Sequence, residues 1–351
     1  MTEKKTAHKR SHKIELLVLI FFFLSGLTGL IYEILWTRLI VELIGGTPFA
    51  VSIVLTVFMG GLGLGSYLAG RTIDRVKEPM RLIRIYGILE LITGIYALAI
   101  PVLLAAFKPL YAIIYNRLFE HFMLYNVLTF IGCSVILCVP VICMGATLPI
   151  LCRFYVTKLS HLGTHAGRLY GLNTIGAAMG ALLCGFWLIS IWGVMGTLIF
   201  AVLINVVIGF VCILASYKVK MRQVSMEEEV SEPAKPSSPE KAQDREFSGN
   251  RTVLIGALII FGVSGFCGMA YEVIWTKLLA LIVAPTTYSF TIVLVTFITG
   301  LALGSMIFGR LADKSNKTFS LLIFTQISAG LLVLGISQLL GNSQFFFTKL
   351  I

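Results

Sequence analysis

"SGLTGLIYEILWTRLI", residues 25–40, has a near copy in "SGFCGMAYEVIWTKLL", residues 264–279. Each copy places an acidic and a basic residue inside a long apolar run. The match extends without a gap over residues 25–75 (first copy) and 264–314 (second copy), where 21 of 51 aligned positions are identical. That identity is far above chance even for two apolar segments, so the chain contains an internal repeat.

The composition predicts a membrane protein. Of the 351 residues, 57% are hydrophobic and 13% are charged, and the mean hydropathy is +0.92. Soluble domains are about 45–50% apolar and about 25% charged. A water-soluble core of this size would not hide so much apolar surface, and open strand edges would leave backbone groups unpaired in lipid. We therefore predict an all-α polytopic membrane protein.

Nine segments are long and apolar enough to cross a bilayer as helices. They are 15–44, 50–70, 82–107, 125–151, 168–190, 194–216, 252–283, 288–309 and 319–340. The first six form one unit, residues 15–216, and the last three form a partial second unit, residues 252–351. A polar, proline-bearing segment of mixed charge, residues 217–251, separates them, and we predict it to be a disordered linker.

The distribution of basic residues predicts the orientation. If the basic N-terminus, residues 1–14, is cytoplasmic, then cytoplasmic segments hold 23 of the 28 Lys and Arg residues and external segments hold three. This asymmetry is typical of membrane proteins. The linker is then cytoplasmic, and both repeat copies insert with the same orientation because an even number of spans separates them. The basic residues are spread over five loops, which argues against nucleic-acid binding.

Four charged residues inside predicted spans occupy equivalent positions of the two copies: Glu33, Arg38, Glu272 and Lys277. A charge at mid-membrane costs at least about 2.5–3.5 kcal/mol, so these side chains must face protein or water. Glu33 and Arg38 are about 140° apart around a helix and are poorly placed to pair with each other. Across a pseudo-twofold axis, Glu33 would instead meet Lys277 and Glu272 would meet Arg38. Such pairs form either a proton or substrate site or a structural charge network.

Glu90 and a set of aromatic residues are further candidates. Glu90 has no basic residue within a turn, which suits a proton-coupled step; a neutral acid that donates to a backbone carbonyl is the alternative. The aromatic residues of the repeat are Tyr32, Tyr271, Trp36 and Trp275. They form either a cation-binding wall or, more commonly, interfacial anchors and packing contacts.

Other features concern packing and metal binding. Gly176 and Gly180 are spaced for close helix packing in the fifth span. Seven cysteines lie in or at the edge of predicted spans, without a CxxC pair. We expect them to act as small apolar residues, and we expect no metal site and no cofactor.

Two six-helix units in parallel are the layout of the major facilitator superfamily, and the loops after the second span of each copy resemble its signature loop. They are "GSYLAGRTIDRVKEPMR" and "GSMIFGRLADKSNK". The matching residues are Gly70, Arg71, Asp74, Arg75, Gly309, Arg310, Asp313 and Lys314. We expect the glycines to let helices approach, and the charges to lock one state by pairing with a neighbouring helix. An ordinary positive-inside loop is the alternative.

A closer resemblance is carried by "SGLTGLIYEILWTRLI", "MGATLPIL" and "GRLYGLNTIGAAMGALLCGFWLI". These phrases resemble the membrane portion of bacterial proteins that fuse a major-facilitator part to a spermidine-synthase part. The resemblance implies an inner-membrane location and a soluble aminopropyltransferase-like domain after the membrane part. The sequence ends at Ile351 without such a domain and three helices short of a full layout. We therefore expect either a fragment or a member that departs from the family pattern, and we assign no catalytic residue.

Three functions remain open at this point. The first is a carrier for a small solute, and a polyamine-like cation is the most specific candidate for that solute. The second is the membrane portion of a polyamine aminopropyltransferase whose catalytic domain, or whose missing helices, are supplied elsewhere. The third is a membrane scaffold that transports nothing. The lipid bilayer is the partner common to all three.

Overall fold

The computed structural model describes residues 2–45, 48–76, 78–155, 162–229, 251–283, 287–314 and 318–341. Within these ranges every regular element is a helix, which confirms the predicted all-α class. The elements are α1 (Thr2–Ile44), α2 (Pro48–Ile73), α3 (Pro79–Leu118), α4 (Phe122–Tyr155), α5 (Leu162–Leu183), a π-helical turn (Cys184–Leu188), α6 (Ile189–Glu229), α7 (Arg251–Val283), α8 (Thr287–Lys314) and α9 (Thr318–Gly341).

Eight helices in the described part of the chain are long and apolar enough to cross a membrane. The chain is therefore a multi-pass α-helical membrane protein in contact with lipid, as its composition predicted. The sequence predicted nine spans. The difference lies at residues 164–217, a continuous helical run of 54 residues in which the fifth and sixth predicted spans follow each other.

Gly193 divides this long run. At 1.5 Å per residue, 54 residues would extend about 81 Å, far beyond the roughly 30 Å of a bilayer core. Gly193 has φ 69° and ψ −176°, and the helix is kinked there. A positive φ is readily adopted only by glycine. The two predicted spans, 168–190 and 194–216, lie on either side of this residue.

α1 is the central helix of the structure. The membrane-spanning part of α1 is 78% buried, and α2, α3, α5 and α6 all pack against it. The approach of α5 depends on glycines: a Cβ on Gly176 would overlap the carbonyl oxygen of Phe23, and one on Gly180 would overlap that of Leu27. Small residues let two backbones come this close, so α5 lies directly against the central helix.

The helices of the second copy pack less. α8 lies on α5, where Gly167 and Gly171 face Ser305 and Met306. α7 packs on α8, but only 6% of the most apolar part of α7 is buried. The corresponding part of α9 is not buried by any described residue. The second copy therefore joins the first mainly through α8.

The boundaries of two predicted segments differ from those of the helices. α1 begins at Thr2, so the basic N-terminal residues continue the first helix. α6 continues to Glu229, so the first part of the predicted linker is helical. The rest of that linker, residues 230–250, lies outside the described residues, as do residues 342–351.

Candidate functional site

Glu33 on α1 and Glu272 on α7 are equivalent residues of the repeat, and both are buried. Each is 1% exposed. Neither carboxyl has a hydrogen-bond or ion-pair partner among the described residues. The two carboxyls are instead within electrostatic range of each other. Two buried acidic groups, one from each copy, are thus within electrostatic range of each other, and no described residue supplies a compensating cation to either.

The ion pairs predicted between the copies do not form among the described residues, so that prediction was wrong. Arg38 Nε lies 3.8 Å from Glu42 Oε1, one turn further along α1, and both side chains are partly exposed. Lys277 is exposed, and the position that corresponds to Glu42 holds Leu281. Long basic side chains can extend towards water, whereas a short glutamate stays where the backbone places it. The two buried carboxyls are therefore left without cations.

Glu90 on α3 forms a second buried acidic site, with partners from two other helices. Ser25 Oγ on α1 donates to Glu90 Oε1 at 2.6 Å, and Asn205 Nδ2 on α6 donates to Oε2 at 3.1 Å. The Tyr86 hydroxyl, one turn earlier on α3, lies beside the carboxyl without completing a hydrogen bond, and the Tyr32 hydroxyl is within electrostatic range. Three helices thus converge on one carboxyl.

Glycines on α3 allow this convergence. A Cβ on Gly87 would lie 2.8 Å from the carbonyl oxygen of Gly209, and one on Gly94 would lie 3.0 Å from Asn205 Cβ. The two glycines stand one turn before and one turn after Glu90, on the side that meets α6. Their missing side chains bring α6 close enough for Asn205 to reach the carboxyl.

Glu90 was recognisable from the sequence, but its neighbours Ser25, Tyr86 and Asn205 were not. The predicted alternative for Glu90 was a hydrogen bond to a backbone carbonyl, whereas the structure places side-chain donors there. A signal for Ser25 was present, since Ser264 is its identical counterpart in the second copy. Asn205 is an isolated amide in an aliphatic run, and such a residue in a membrane helix usually has a polar partner.

The aromatic residues of the repeat form two stacked pairs. The ring centroids of Tyr32 and Trp36 are 5.4 Å apart at an interplanar angle of 8°, and those of Tyr271 and Trp275 are 6.0 Å apart at 19°. Tyr32 and Trp36 are fully buried, so they are not interfacial anchors. The Tyr32 hydroxyl and Trp36 Nε1 have no hydrogen-bond partner among the described residues. The Tyr32 hydroxyl and the Trp36 indole N–H are therefore buried groups that can still form hydrogen bonds.

The charged loop of the first copy faces solvent. Arg71 lies over the ring of Tyr67 on the same helix, 4.7 Å from its centroid. Asp74 and Arg75 are exposed. A Cβ on Gly70 would meet no described atom within 4 Å, so this glycine does not mark a close approach between described helices, contrary to expectation.

The charged loop of the second copy contacts a neighbouring helix. The backbone N–H of Thr164, near the start of α5, donates to Asp313 Oδ2 at 2.6 Å. Gly309 lies at the same contact, with its Cα 3.5 Å from a Cβ built on Gly167. Arg310 and Lys314 are exposed. A carboxylate at a helix N-terminus satisfies a free N–H and favours the helix dipole, so Asp313 ties α8 to α5.

The described residues contain no group of three or more His, Cys, Asp or Glu side chains placed to hold a metal ion. Comparison with known proteins finds no matching family model, no similar curated protein and no similar solved structure. The two buried acidic sites, Glu33 with Glu272 and Glu90 with its donors, are therefore the candidate functional sites.

Proposed function

We propose that the chain is the membrane module of a major-facilitator-like carrier and that it binds a small organic cation between its repeat copies. The observation that carries the proposal is the pair Glu33 and Glu272, two buried carboxyls in electrostatic range of each other and without partners among the described residues. Two negative charges in apolar surroundings repel each other, and a cation bound between them removes that repulsion.

The aromatic residues next to the two glutamates in sequence favour an organic cation. In each copy a stacked Tyr–Trp pair brackets the glutamate in sequence, as Tyr32 and Trp36 do around Glu33. The faces of aromatic rings attract ammonium groups and also pack against methylene groups. A metal ion would need several oxygen ligands, whereas an alkylammonium needs one or two carboxylates and an apolar wall.

The depth of the two carboxyls supports a shared site. Glu33 lies three residues past the midpoint of the span Leu16–Ile44, about 4.5 Å along the helix. Glu272 lies five residues past the midpoint of the span Ile255–Leu279, about 7.5 Å along. Both displacements are towards the C-terminal end, which is the same side of the membrane if the copies insert in parallel. Carriers built from repeats bind solutes near mid-membrane, where the repeats meet.

Equilibrium binding to the purified full chain in lipid nanodiscs tests this proposal. The probes are radiolabelled putrescine and tetraethylammonium, with glutamate as an anionic control. We expect both cations to bind and glutamate not to bind. Each of Glu33→Gln and Glu272→Gln should weaken cation binding roughly tenfold, and the double variant should abolish it, because a charge-assisted contact is worth about 1.5–3 kcal/mol.

The matched control is Glu42→Gln, which removes a carboxylate from the same helix but outside the buried region. It should bind the cations with unchanged affinity. All variants are first shown to be folded by thermal unfolding in the nanodisc. Equal cation affinity in the double variant contradicts the proposed site. Absence of cation binding and of cation uptake in the folded protein would instead favour a scaffold that transports nothing.

A further inference from the structure

Glu90 is a buried carboxyl that the proposed cation site does not use. It lies between α1, α3 and α6, all in the first repeat unit, and its hydrogen-bond donors are Ser25 and Asn205. Both donors are uncharged. The carboxyl is therefore held in place by a built polar site without being neutralised by it.

The titratable groups that face Glu90 are all uncharged in their ordinary forms near neutral pH. They are Tyr86 on its own helix, Tyr32 on α1, Cys143 on α4 and Cys212 on α6. No Lys, Arg or His of the described residues is among them. Any positive charge that compensates Glu90 must therefore come from solution, and the smallest one is a proton.

The site contains more hydrogen-bonding capacity than the carboxyl uses. The hydroxyls of Tyr32 and Tyr86 and the amide oxygen of Asn205 are buried and have no partner among the described residues. A hydroxyl either donates or accepts, so it can turn to suit an ionised or a protonated carboxyl. The cluster thus provides partners for both forms of Glu90.

The geometry links this carboxyl to the proposed cation site through α1. Ser25, which donates to Glu90, lies eight residues before Glu33 on the same helix, about 12 Å away along its axis. Tyr32, whose hydroxyl is in range of Glu90, is the residue directly before Glu33. When Glu90 loses its negative charge, a charge-assisted bond to α1 becomes weaker, and α1 carries half of the cation site.

We propose that Glu90 binds and releases the proton whose gradient drives cation movement by this carrier. The inference rests on the proposed function. A hydronium ion on one side of the membrane loses its proton as the O–H bond of the carboxyl forms, and water on the other side takes up the proton as that O–H bond breaks. Glu33 and Glu272 hold the solute, and Glu90 holds the proton.

Proteoliposomes containing the full chain separate these two roles. One assay measures accumulation of radiolabelled putrescine driven by a proton gradient, and the other measures exchange of internal for external putrescine without a gradient. In Glu90→Gln we expect exchange to continue and accumulation to fall by roughly tenfold or more, since only the coupling is removed. The matched control, Glu120→Gln, removes an exposed carboxylate in the turn after α3 and should leave both assays unchanged. Undiminished accumulation in Glu90→Gln overturns the proposal.

A variant that keeps the carboxyl covers the case in which Glu90→Gln does not fold. Ser25→Ala removes one donor to Glu90. It should shift the pH profile of putrescine accumulation while exchange continues. An unchanged pH profile in Ser25→Ala would then overturn the proposal.

Infrared difference spectroscopy during a pH titration tests the proton site without any transported solute. The spectra are recorded with Glu33→Gln and Glu272→Gln already in place, because these substitutions remove the other two buried carboxyls of the described residues. In that background the C=O stretch of a protonated, buried carboxylic acid should appear and disappear with pH, also when Glu120→Gln is added, but not when Glu90→Gln is added. If no cation is transported and the band still depends on Glu90, the carrier function fails while the proton site stands. If Glu90→Gln leaves the titrating band unchanged, or no such band titrates, the proton site is overturned whatever the transport assays show.

Discussion

α2 and α8 are copies of the same sequence element, yet they bury different parts of it. In α2, a Cβ on Gly61 would lie 2.8 Å from Val141 Cγ1, and one on Gly65 would overlap the backbone of α4. At the equivalent residues of α8, Gly300 and Gly304, no atom of the described residues lies within 4 Å of such a Cβ. The glycines of the first copy thus pack against α4, whereas the equivalent glycines of the second copy do not pack against any described helix.

The second copy buries another part of the element. α8 meets α5 through Ser305 and Gly309 and anchors the contact with Asp313. In α2 the equivalent residues Gly70 and Asp74 are exposed. The repeated sequence therefore forms a similar helix in both copies, but the neighbouring helix determines which of its residues are packed at a helix contact. Substitutions at equivalent positions should then have unequal effects.

The largest expected difference is between Gly65→Ala and Gly304→Ala. The new Cβ at position 65 would overlap the carbonyl oxygen of Ile142, and overpacking of this kind costs about 1–3 kcal/mol. The Cβ at position 304 would meet no atom of the described part of the chain within 4 Å, and alanine is about 1 kcal/mol more favourable than glycine in a helix. Thermal unfolding in detergent should show Gly65→Ala destabilised and Gly304→Ala unchanged or stabilised. Equal effects would mean that the two faces are packed alike.

A smaller difference is expected between Asp313→Asn and Asp74→Asn. Asp313 caps the start of α5, and loss of an exposed cap and its charge costs about 0.5–1 kcal/mol. Asp74 is exposed at the equivalent position, so its substitution should leave stability within measurement error. Cysteine accessibility at the contact of α5 and α8, together with thermal unfolding, measures the effect. A larger loss in Asp74→Asn would reverse the comparison.

The smallest effect concerns the exposed ends of the repeated helices α1 and α7. Glu42→Gln removes the partner of Arg38, and a solvent-screened pair one helical turn apart is worth about 0.3–0.5 kcal/mol. Lys277→Gln is the matched control, since Lys277 has no ion pair among the described residues. The stability difference between these variants should vanish in high salt. A difference that persists in high salt would show that the Arg38 pair is buried.

The sequence predicted the helices better than the contacts between them. The positions of the spans followed from runs of apolar residues, and Gly193 divides the one helical run that holds two of the nine predicted spans. Glu33, Glu90 and Glu272 were recognised as candidates because charges are rare in apolar runs. The residues that contact these carboxyls were not recognised from the sequence. Ser25 and Asn205 lie 65 and 115 residues from Glu90, and no local pattern relates them.

By itself, the sequence determined that the chain crosses a membrane several times with helices and that it contains two copies of one element. Both properties follow from local composition and spacing, because lipid requires each helix to satisfy its own backbone. Only the tertiary structure decided that Glu33 lies within electrostatic range of Glu272 and has no lysine partner among the described residues, and that Ser25 and Asn205 hold Glu90. Those contacts depend on which helices approach one another and on the length of each side chain. Arg38 is long enough to reach Glu42 near its own helix end, whereas the short glutamates stay in the interior.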